Sequence, residues 1–372
     1  MLRPIQEPKW KSVLRRLAAT GVRRHDGLFM NSHLFRRCVR FARRKMLPIH
    51  RVDPAVVKFE EDTCRQLWRD AAAHLGIPVT EGHGILTIQA NGRVLRVRDH
   101  LFSSESAFAA IVSNDKQLTN TLLRDACVNV PEGQAFSWQQ KQEAIQYGLS
   151  IAPCVAKPRA AAFGVGVSVN LTTERQIRRA FTRAELFGDV LIERFAAGDN
   201  YRALVLDGRC ISIVRRQLAA VIGDGRSTVA ELVARENRAR RDTLLRPLRT
   251  DPETAQLLQR SGASWESVPA AGDSIPLASV CNYQHGTTYA ECLTVAHPEV
   301  VAASERAALA VSAVISGVDA IAPDITKPEY IVNEVNTMPL LLIHYADPDH
   351  RDPIREILIQ HLGLSGSAHQ TF

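Results

Sequence analysis

Near the C-terminus, three residues with hard oxygen atoms lie on two short apolar runs that a Pro-containing turn joins: Asp324, Glu334 and Asn336. The run IVNEVN (331–336) alternates apolar and polar residues, which predicts a strand with Glu334 and Asn336 on one face. A hairpin return would bring Asp324 beside that face. Two carboxylates and an amide oxygen suit Mg²⁺, which also takes phosphate oxygens and water. The trio therefore predicts a magnesium site in an ATP-dependent enzyme, and the alternative is a surface hairpin with solvated acids.

Two lysines lie where a phosphate could meet a fixed positive charge. Lys157 ends the apolar run PCVAKPRA (153–160) just before a turn, and a lysine fixed by a strand can act as a point charge for phosphate. Lys116 begins a predicted helix behind Asn114 and Asp115, either of which can cap it. A lysine in either position is more often simply solvated, so neither residue alone indicates a phosphate site.

A glycine-rich stretch, AAAFGVGVSVN (160–170), begins three residues after Lys157. Gly164 and Gly166 would let backbone N–H groups close over phosphates between two strands, although a plain glycine hairpin has the same pattern. The next predicted strand presents Glu193, which can accept a hydrogen bond from a ribose hydroxyl or lie beside a base.

The chain divides into three predicted regions. Residues 1–110 contain basic helices and a hairpin that turns at Asn91-Gly92 between alternating runs. Residues 111–192 alternate short strands and helices, and residues 193–372 hold further strands and helices and the polar trio. Because the strict βαβ repeat of a doubly wound sheet is absent, we expect α+β subdomains.

Composition is that of a soluble globular protein, with 45% hydrophobic and 23% charged residues. No apolar run approaches the roughly 20 residues that span a bilayer, and the N-terminus lacks the apolar core of a secretory signal. The seven cysteines are scattered and form no CxxC pair, which favours a reducing, cytoplasmic setting over disulfides or a zinc site.

Positive charge is concentrated at the N-terminus. The net charge is +7, but residues 1–51 hold 14 Lys and Arg against Glu7 and Asp26. The stretches 11–19 and 33–47 predict basic amphipathic helices, which can contact an acidic partner protein, anionic lipid or nucleic acid. Nucleic acid is the less favoured of these partners. The alternatives are helices docked on their own domain with their arginines in water, and a transit peptide.

The order of these parts resembles the ATP-grasp superfamily. Residues 111–361 resemble the ATP-grasp part of cyanophycin synthetase and its relatives, through SNDKQLTNTLLRDACVNVPEG (113–133), VIGDGRSTVAELV (221–233), and GVDAIAPDI with IVNEVNTMP near the C-terminus. The resemblance implies two α+β subdomains that clasp ATP, namely a lid subdomain over 111–192 and a C-terminal subdomain over 193–372, preceded by the basic N-terminal domain.

The resemblance also implies a role for individual residues. Lys116 and Lys157 match nucleotide-phosphate lysines, the loop of Gly164 and Gly166 matches the lid, and Glu193 matches the nucleotide-binding hinge. The remaining matches are the magnesium ligands Asp324, Glu334 and Asn336, the arginines Arg202 and one or both of Arg215 and Arg216 facing the phosphates, and Asn282 near the transferred phosphoryl group or substrate.

Such enzymes join a carboxylate to an amine through an acyl phosphate and release ADP and phosphate. The resemblance implies ATP and two Mg²⁺ ions, with Mn²⁺ as an alternative ion, amino acid or small peptide substrates, and a homodimer, a state common among such ligases. Charge neutralisation by metal and Arg/Lys is what this reaction requires, because a carboxylate must attack an anionic phosphate. No protein nucleophile is needed.

This chain departs from the pattern at several points. Val165 stands where relatives usually carry a cation in the glycine-rich loop, so Arg159 becomes the candidate for that contact. Thr337 to Leu340 replace the usual Ala-Ala-Pro-Gly, and the Mur-ligase half of cyanophycin synthetase is absent, which argues against polymer synthesis. The alternative function is a degenerate ATP-grasp protein that binds nucleotide as a scaffold or regulator. Candidate pocket residues, each more often ordinary packing or surface, are His285, His344, Tyr289 and Tyr345.

Overall fold

The computed structural model of the chain describes residues 54–99, 101–161, 164–348 and 350–364. Residues 52–372 belong to one compact unit. The basic helices predicted within residues 1–51, and their predicted contact with an acidic partner, lie outside the described residues. Across the described ranges, no helix combines the length and the apolar character that crossing a bilayer requires.

The described residues contain nine α-helices. In chain order they are α1 (Pro54–His74), α2 (Ala107–Asn114), α3 (Lys116–Asp125), α4 (Lys141–Ser150), α5 (Glu174–Ala184), α6 (Val229–Ala239), α7 (Pro252–Arg260), α8 (Pro298–Ala310) and α9 (Pro353–His361). Side-chain caps fix where several of them begin. Thr173 and Thr228, for example, form capping boxes with Gln176 and Glu231, which satisfy N–H groups at the start of α5 and α6.

Fifteen strands in the described residues form four sheets. They are β1 (Val79–Gly82), β2 (Ile85–Ala90), β3 (Arg93–Arg98), β4 (Leu101–Phe102), β5 (Gly133–Phe136), β6 (Cys154–Pro158), β7 (Ser168–Leu171), β8 (Val190–Arg194), β9 (Asp199–Leu206), β10 (Arg209–Gln217), β11 (Ala220–Ile222), β12 (Ser274–Pro276), β13 (Thr288–Glu291), β14 (Ile315–Ala322) and β15 (Ile331–Asn336). Antiparallel sheets with helices on one face are an α+β architecture, which confirms the predicted fold class.

The first sheet is a meander of β1 to β4. Asn91 and Gly92 adopt φ values of 51° and 74°, which is the left-handed conformation that a tight hairpin turn needs, so the predicted hairpin is confirmed. Helix α1 packs on this sheet through Trp68, which is fully buried. The same apolar cluster includes Leu204 and Ile315 of the large sheet, so the first sheet is anchored to the body of the protein.

The second sheet has the order β5-β8-β6-β7, and helices α4 and α5 cover it. Its core includes Phe136, Ile145, Ile177 and Phe181, all buried. Strands β6 and β8, in the middle of this sheet, carry Lys157 and Glu193. The small sheet therefore holds two of the predicted nucleotide-binding side chains on neighbouring strands.

A small helical lobe lies between β10 and β13 in the chain, although these two strands are neighbours in the large sheet. It consists of β11, α6, α7 and β12, and encloses its own apolar cluster around Val229, Leu232 and Leu258. The carboxylate of Asp224 fixes the turn that precedes α6, because it accepts hydrogen bonds from the backbone N–H (2.7 Å) and the hydroxyl group (2.8 Å) of Ser227.

The large sheet has the order β13-β10-β9-β14-β15 and has two chemically different faces. Alternate residues of its strands enter an apolar core that α2, α3 and α8 complete; strand members of that core are Tyr201, Ala203, Ile213, Val318, Ala320, Val332 and Val335. The opposite face carries charged and polar side chains: Arg202, Arg216, Glu291, Asp319, Glu334 and Asn336. The candidate site lies on this second face, hereafter the polar face.

Candidate active site

Asp319 lies in the middle of the polar face, between two arginines. Arg202, its cross-strand partner on β9, forms a bidentate ion pair with it, in which Nη2 and Oδ2 are 2.9 Å apart. Arg216 of β10 places Nη2 3.2 Å from Oδ1 of the same carboxylate. Burial would raise the pKa of Asp319, but the two guanidinium groups outweigh it and hold the pKa below its usual range. Two largely, but not fully, buried arginines thus share one carboxylate.

Gly317 leaves room for this arrangement. A Cβ atom at this position would come within 2.8 Å of both Cδ and Nη1 of Arg202. Because real Cβ atoms do not approach so closely, any other residue at position 317 would displace the guanidinium group from Asp319. The glycine before Val318 in the motif GVDA is therefore part of the site.

Glu334 is the cross-strand partner of Asp319 and is held by a lysine from outside the sheet. Lys116, the first residue of α3, places Nζ 2.9 Å from Oε1 of Glu334 and donates a 2.7 Å bond to the carbonyl of Ala161. Lys116 is 8% exposed, so its ammonium group is largely removed from water. The structure brings the predicted phosphate lysine and the predicted metal carboxylate together.

Lys157 connects the small sheet to the large one. Its Nζ lies 2.6 Å from Oε2 of Glu193 on the neighbouring strand and donates a 3.2 Å bond to Oδ1 of Asn333 on β15. The other oxygen of Glu193 accepts a 3.0 Å bond from Asn120 of α3. Both oxygens of the Glu193 carboxylate are thus engaged inside the protein. Asn120 and Asn333 were not predicted, and the spacing of Asn120 four residues after Lys116 on one helix is the signal that could have indicated it.

Asp319, Glu334 and Asn336 form the donor set that fits a hard divalent cation. Asp319 and Glu334 are direct cross-strand partners, and Asn336 pairs with Gly317 two residues along the same face. The Asn336 amide has a buried Nδ2 without a hydrogen-bond partner, so no recorded bond fixes its orientation. In the part of the chain that the structure describes, no cluster of three or more His, Cys, Asp or Glu side chains forms. Two carboxylates and an amide favour Mg²⁺ chemistry over zinc chemistry.

Asp324 is not beside Glu334 and Asn336, which corrects the predicted trio. Strand β14 ends at Ala322, about 10 Å beyond Asp319 at about 3.3 Å per residue, and Asp324 lies in the loop that follows. Its Oδ1 accepts bonds from the N–H (2.9 Å) and hydroxyl (2.8 Å) groups of Thr326, and these bonds lower the pKa of this exposed carboxyl. Asp324 therefore stabilises a turn. An acidic residue inside the apolar run GVDAIA was the sequence signal for Asp319.

Arg215 and Arg216 point to opposite faces of β10. Arg216 contacts Asp319, whereas Arg215 pairs with Asp199, with Nη2 and Oδ2 2.7 Å apart, and its side chain is 41% exposed. The prediction that one or both arginines face the phosphates thus reduces, in this structure, to Arg216 together with Arg202.

Asn282 begins the 3₁₀ turn Tyr283–His285, just before β13. Its Oδ1 accepts a 3.0 Å bond from the N–H group of Gln284, and its carbonyl accepts a 2.9 Å bond from Thr287. The preceding residue, Cys281, contacts the backbone carbonyl of Arg216. Asn282 is therefore next to the strand that carries Arg216, but its amide oxygen is used by its own turn.

The glycine-rich loop joins β6 to β7. Gly164 and Gly166 have φ values of 69° and 77°, and a Cβ on Gly166 would come within 3.1 Å of both Pro158 and Phe187. Arg159, the candidate for a lid contact with phosphate, forms a bidentate pair with Asp115, the capping residue of α3, at 2.9 and 2.6 Å. In this structure Arg159 fixes the start of α3 and does not extend from the loop.

His344 is buried beneath the arginines, on the 3₁₀ turn Leu341–Tyr345. Its Nδ1 is 2.8 Å from the hydroxyl of Ser212, which donates a 2.8 Å bond to Glu291. Because Ser212 gives its only proton to Glu291, Nδ1 of His344 is the donor and Nε2, which has no partner, is a bare acceptor. Burial and the positive charges of Arg202 and Arg216 lower the pKa of His344 to about 3.

We expect His344 to make the protein acid-sensitive. Its pKa falls from 6.5 to about 3 on folding. At a pH between these two values, the unfolded chain therefore binds a proton at this residue and the folded chain does not. Above pH 6.5 this residue does not lower the free energy of unfolding. As the pH drops from 6.5 towards 3, the free energy of unfolding falls by up to about 1.4 kcal/mol per pH unit because of it. His344→Asn should reduce the slope of unfolding free energy against pH, measured by urea denaturation from pH 7 to pH 4. Equal slopes in the two proteins would contradict this assignment.

Two of the curated proteins to which the chain is similar have almost the same sequence identity to it. The chain is 29% identical to cyanophycin synthetase of Nostoc sp. over 309 residues, 76% of this chain and 34% of the relative. It is 30% identical to the glutathione biosynthesis bifunctional protein GshAB of Streptococcus mutans over 287 residues, 71% of this chain and 37% of the relative. The chain thus spans about a third of the length of these relatives. No protein-family model matches it.

Among solved structures, the fold is similar to that of a bifunctional glutathione synthetase from Pasteurella multocida. The TM-score is 0.61 at 22% sequence identity, and the match covers 80% of this chain and 43% of the other. Two antiparallel sheets meet at a polar cluster of lysines, arginines and carboxylates, and this arrangement, together with the similarity to these proteins, supports the resemblance to the ATP-grasp superfamily. The chain is similar to cyanophycin synthetase and GshAB over about a third of their length.

Proposed function

We propose that the chain is an ATP-dependent ligase. It joins the carboxylate of an amino acid or small peptide to an amine and releases ADP and phosphate. The observation that supports this function is the convergence of four cations on three carboxylates where the two sheets meet: Lys116 pairs with Glu334, Lys157 with Glu193, and Arg202 and Arg216 with Asp319.

The charge balance of the cluster suits an anionic reaction. Lys116 is paired with Glu334 and Lys157 with Glu193, whereas Arg202 and Arg216 share the single carboxylate of Asp319. These ion pairs therefore contain four cations and three carboxylates, mostly shielded from water. A carboxylate attacking a phosphate needs such fixed charge, because two anions must approach each other.

Asp319, Glu334 and Asn336 are the residues that would hold Mg²⁺, and two ions, with Mn²⁺ as a substitute, are part of the proposal. Bound metal would neutralise phosphate oxygens during transfer. In the structure Arg202, Arg216 and Lys116 compensate the same carboxylates. Metal binding thus requires these cations to share or release Asp319 and Glu334, which leaves them available for phosphate.

The proposed reaction has two steps. A carboxylate oxygen of the first substrate bonds to the γ-phosphorus of ATP as the bond to ADP breaks. The amine nitrogen then bonds to the acyl carbon, inorganic phosphate leaves, and the nitrogen loses a proton. Because water would hydrolyse the acyl phosphate, the glycine-rich loop of Gly164 and Gly166 is proposed to cover it between the steps.

The experiment is amine-dependent release of ADP from the purified chain. We expect release above background for at least one pair in a panel of amino acids and dipeptides with Mg²⁺ present, and a product whose mass equals the two substrates minus water. Magnesium-dependent nucleotide binding without turnover across the panel would favour the alternative, a scaffold or regulator.

The setting of this activity is also part of the proposal. The described cysteines Cys64, Cys127, Cys154, Cys210, Cys281 and Cys292 are free thiols, which supports a reducing, cytoplasmic compartment. A homodimer and an acidic partner at residues 1–51 stay predictions.

A further inference from the structure

Two consecutive residues of β15 are each in contact with one of the two lysines. Lys116 forms an ion pair with Glu334, and Lys157 donates a hydrogen bond to Asn333. Neighbouring residues of a regular strand point to opposite faces. Here they do not, so the strand must be irregular at this point.

A β-bulge explains the arrangement. Glu334 pairs with Asp319 and Val332 pairs with Ala320, which leaves Asn333 without a partner of its own on β14. Val332 and Val335 both enter the apolar core although they are three residues apart. The two residues between them therefore both lie on the polar face, and the bulge adds the Asn333 side chain to the site.

Asn333 gives Lys157 its contact with the large sheet. Lys157 belongs to the small sheet and is 4% exposed. Among the described residues, its Nζ forms an ion pair with Glu193 and donates a hydrogen bond to Asn333. An ammonium group has three donors. Two of them fix its position between the sheets, and the third is available to a phosphate oxygen.

The chemical type of the residue matters at this position. Glu334 neutralises Lys116, and Glu193 already neutralises Lys157. An amide oxygen accepts a bond from the lysine without adding negative charge beside the phosphates. An aspartate of the same shape would keep the bond but would repel an anionic ligand.

We propose that Asn333 is a positioning residue for phosphate recognition: a neutral anchor on the bulge of β15 that holds the Lys157 ammonium group at the junction of the two sheets. The inference rests on the proposed function, because it requires a nucleotide at this site. It predicts that Asn333 affects ligands with phosphates and does not affect the nucleoside alone.

The test compares ADP with adenosine on the full chain and two variants. Isothermal titration with ADP and Mg²⁺ should show Kd raised about 5- to 10-fold in Asn333→Ala, the effect of losing one hydrogen bond of ordinary strength. The Kd should rise further in the isosteric Asn333→Asp. Adenosine, followed by ligand-observed NMR, should bind all three proteins equally.

Gln259→Glu, the same charge change at an exposed position of α7, is the matched control and should bind ADP as the parent does. Parent-like ADP binding by Asn333→Asp, or an equal loss of adenosine binding, would overturn the inference while leaving the proposed function intact. A parent chain that binds no ADP would overturn both.

Discussion

Asp319→Asn is expected to lower the rate of amine-dependent ADP release by at least about 100-fold. The substitution keeps the shape of the side chain but removes the charge that Arg202, Arg216 and a metal ion would share. Steady-state kinetics with saturating ATP and Mg²⁺ measure the loss. Asp324→Asn is the matched control, because it makes the same change on the same hairpin, in an exposed turn, and we expect activity within about twofold of the parent.

Nucleotide binding separates a metal effect from a general loss of the site. Without Asp319, Arg202 and Arg216 become more available to phosphate, so ADP binding in the absence of metal should be retained or strengthened. The gain in ADP affinity that Mg²⁺ gives the parent should disappear. If Asp324→Asn lost most of its activity and Asp319→Asn lost none, the metal ligand would be Asp324, as predicted from the sequence.

Stability must be measured alongside activity for Asp319→Asn. Removing one partner of a buried ion pair leaves uncompensated charge and costs about 3–5 kcal/mol. Circular dichroism at the assay temperature, together with a thermal melt, shows whether the variant is folded where its rate is measured. The ADP titration without metal then serves as an independent check that the polar face is assembled.

The difference between Asp324 and Asp319 shows what the sequence could not reveal. The alternation in IVNEVN correctly places Glu334 and Asn336 on one face, because strand periodicity is a local property. The identity of the residue opposite Glu334 depends on register, which is set by the loop between the strands and by the bulge at Asn333. Asp319 lies on the strand before that loop and Asp324 lies in the loop itself, and periodicity alone does not choose between them.

The same distinction applies to the other parts of the site. Lys116 could be predicted from its place at a helix start, Lys157 and Glu193 from their places on strands, and all three from family order. The structure brings them together with β15. Asn120 and the Ser212–His344 bond were not predicted, since each joins elements that are distant in the chain. Long-range contacts of neutral polar residues leave no periodic pattern.

The fold was predicted to a similar depth. The Asn91-Gly92 hairpin follows from turn chemistry, and the mixed α+β class follows from the lack of a βαβ repeat. The grouping of β11, α6, α7 and β12 into a separate lobe was not predicted, because its strands have only three residues each and its core is separate from that of the large sheet. The subdomain boundaries at 110 and 192 stay predictions.

Arg216→Ala is expected to lower kcat by at least about 100-fold, whereas Arg215→Ala should change it by no more than about threefold. The two residues are adjacent in sequence and identical in type, but only Arg216 lies on the polar face with Asp319. Arg215 pairs with Asp199 at a half-exposed position, where ion pairs contribute little. The pair therefore tests the side of the sheet at which phosphoryl transfer occurs.

Removing Arg216 should leave the fold intact, because Asp319 keeps its bidentate pair with Arg202. Arg216→Lys should recover only part of the rate, since a lysine restores the charge without the planar pair of donors. Steady-state kinetics of the three variants, each normalised to its folded fraction, measure these effects. Equal losses of kcat in Arg215→Ala and Arg216→Ala would mean that the positive charge at the end of β10 matters, and not the face on which it lies. A larger loss of kcat in Arg215→Ala would mean that the reaction occurs on the opposite side of β10.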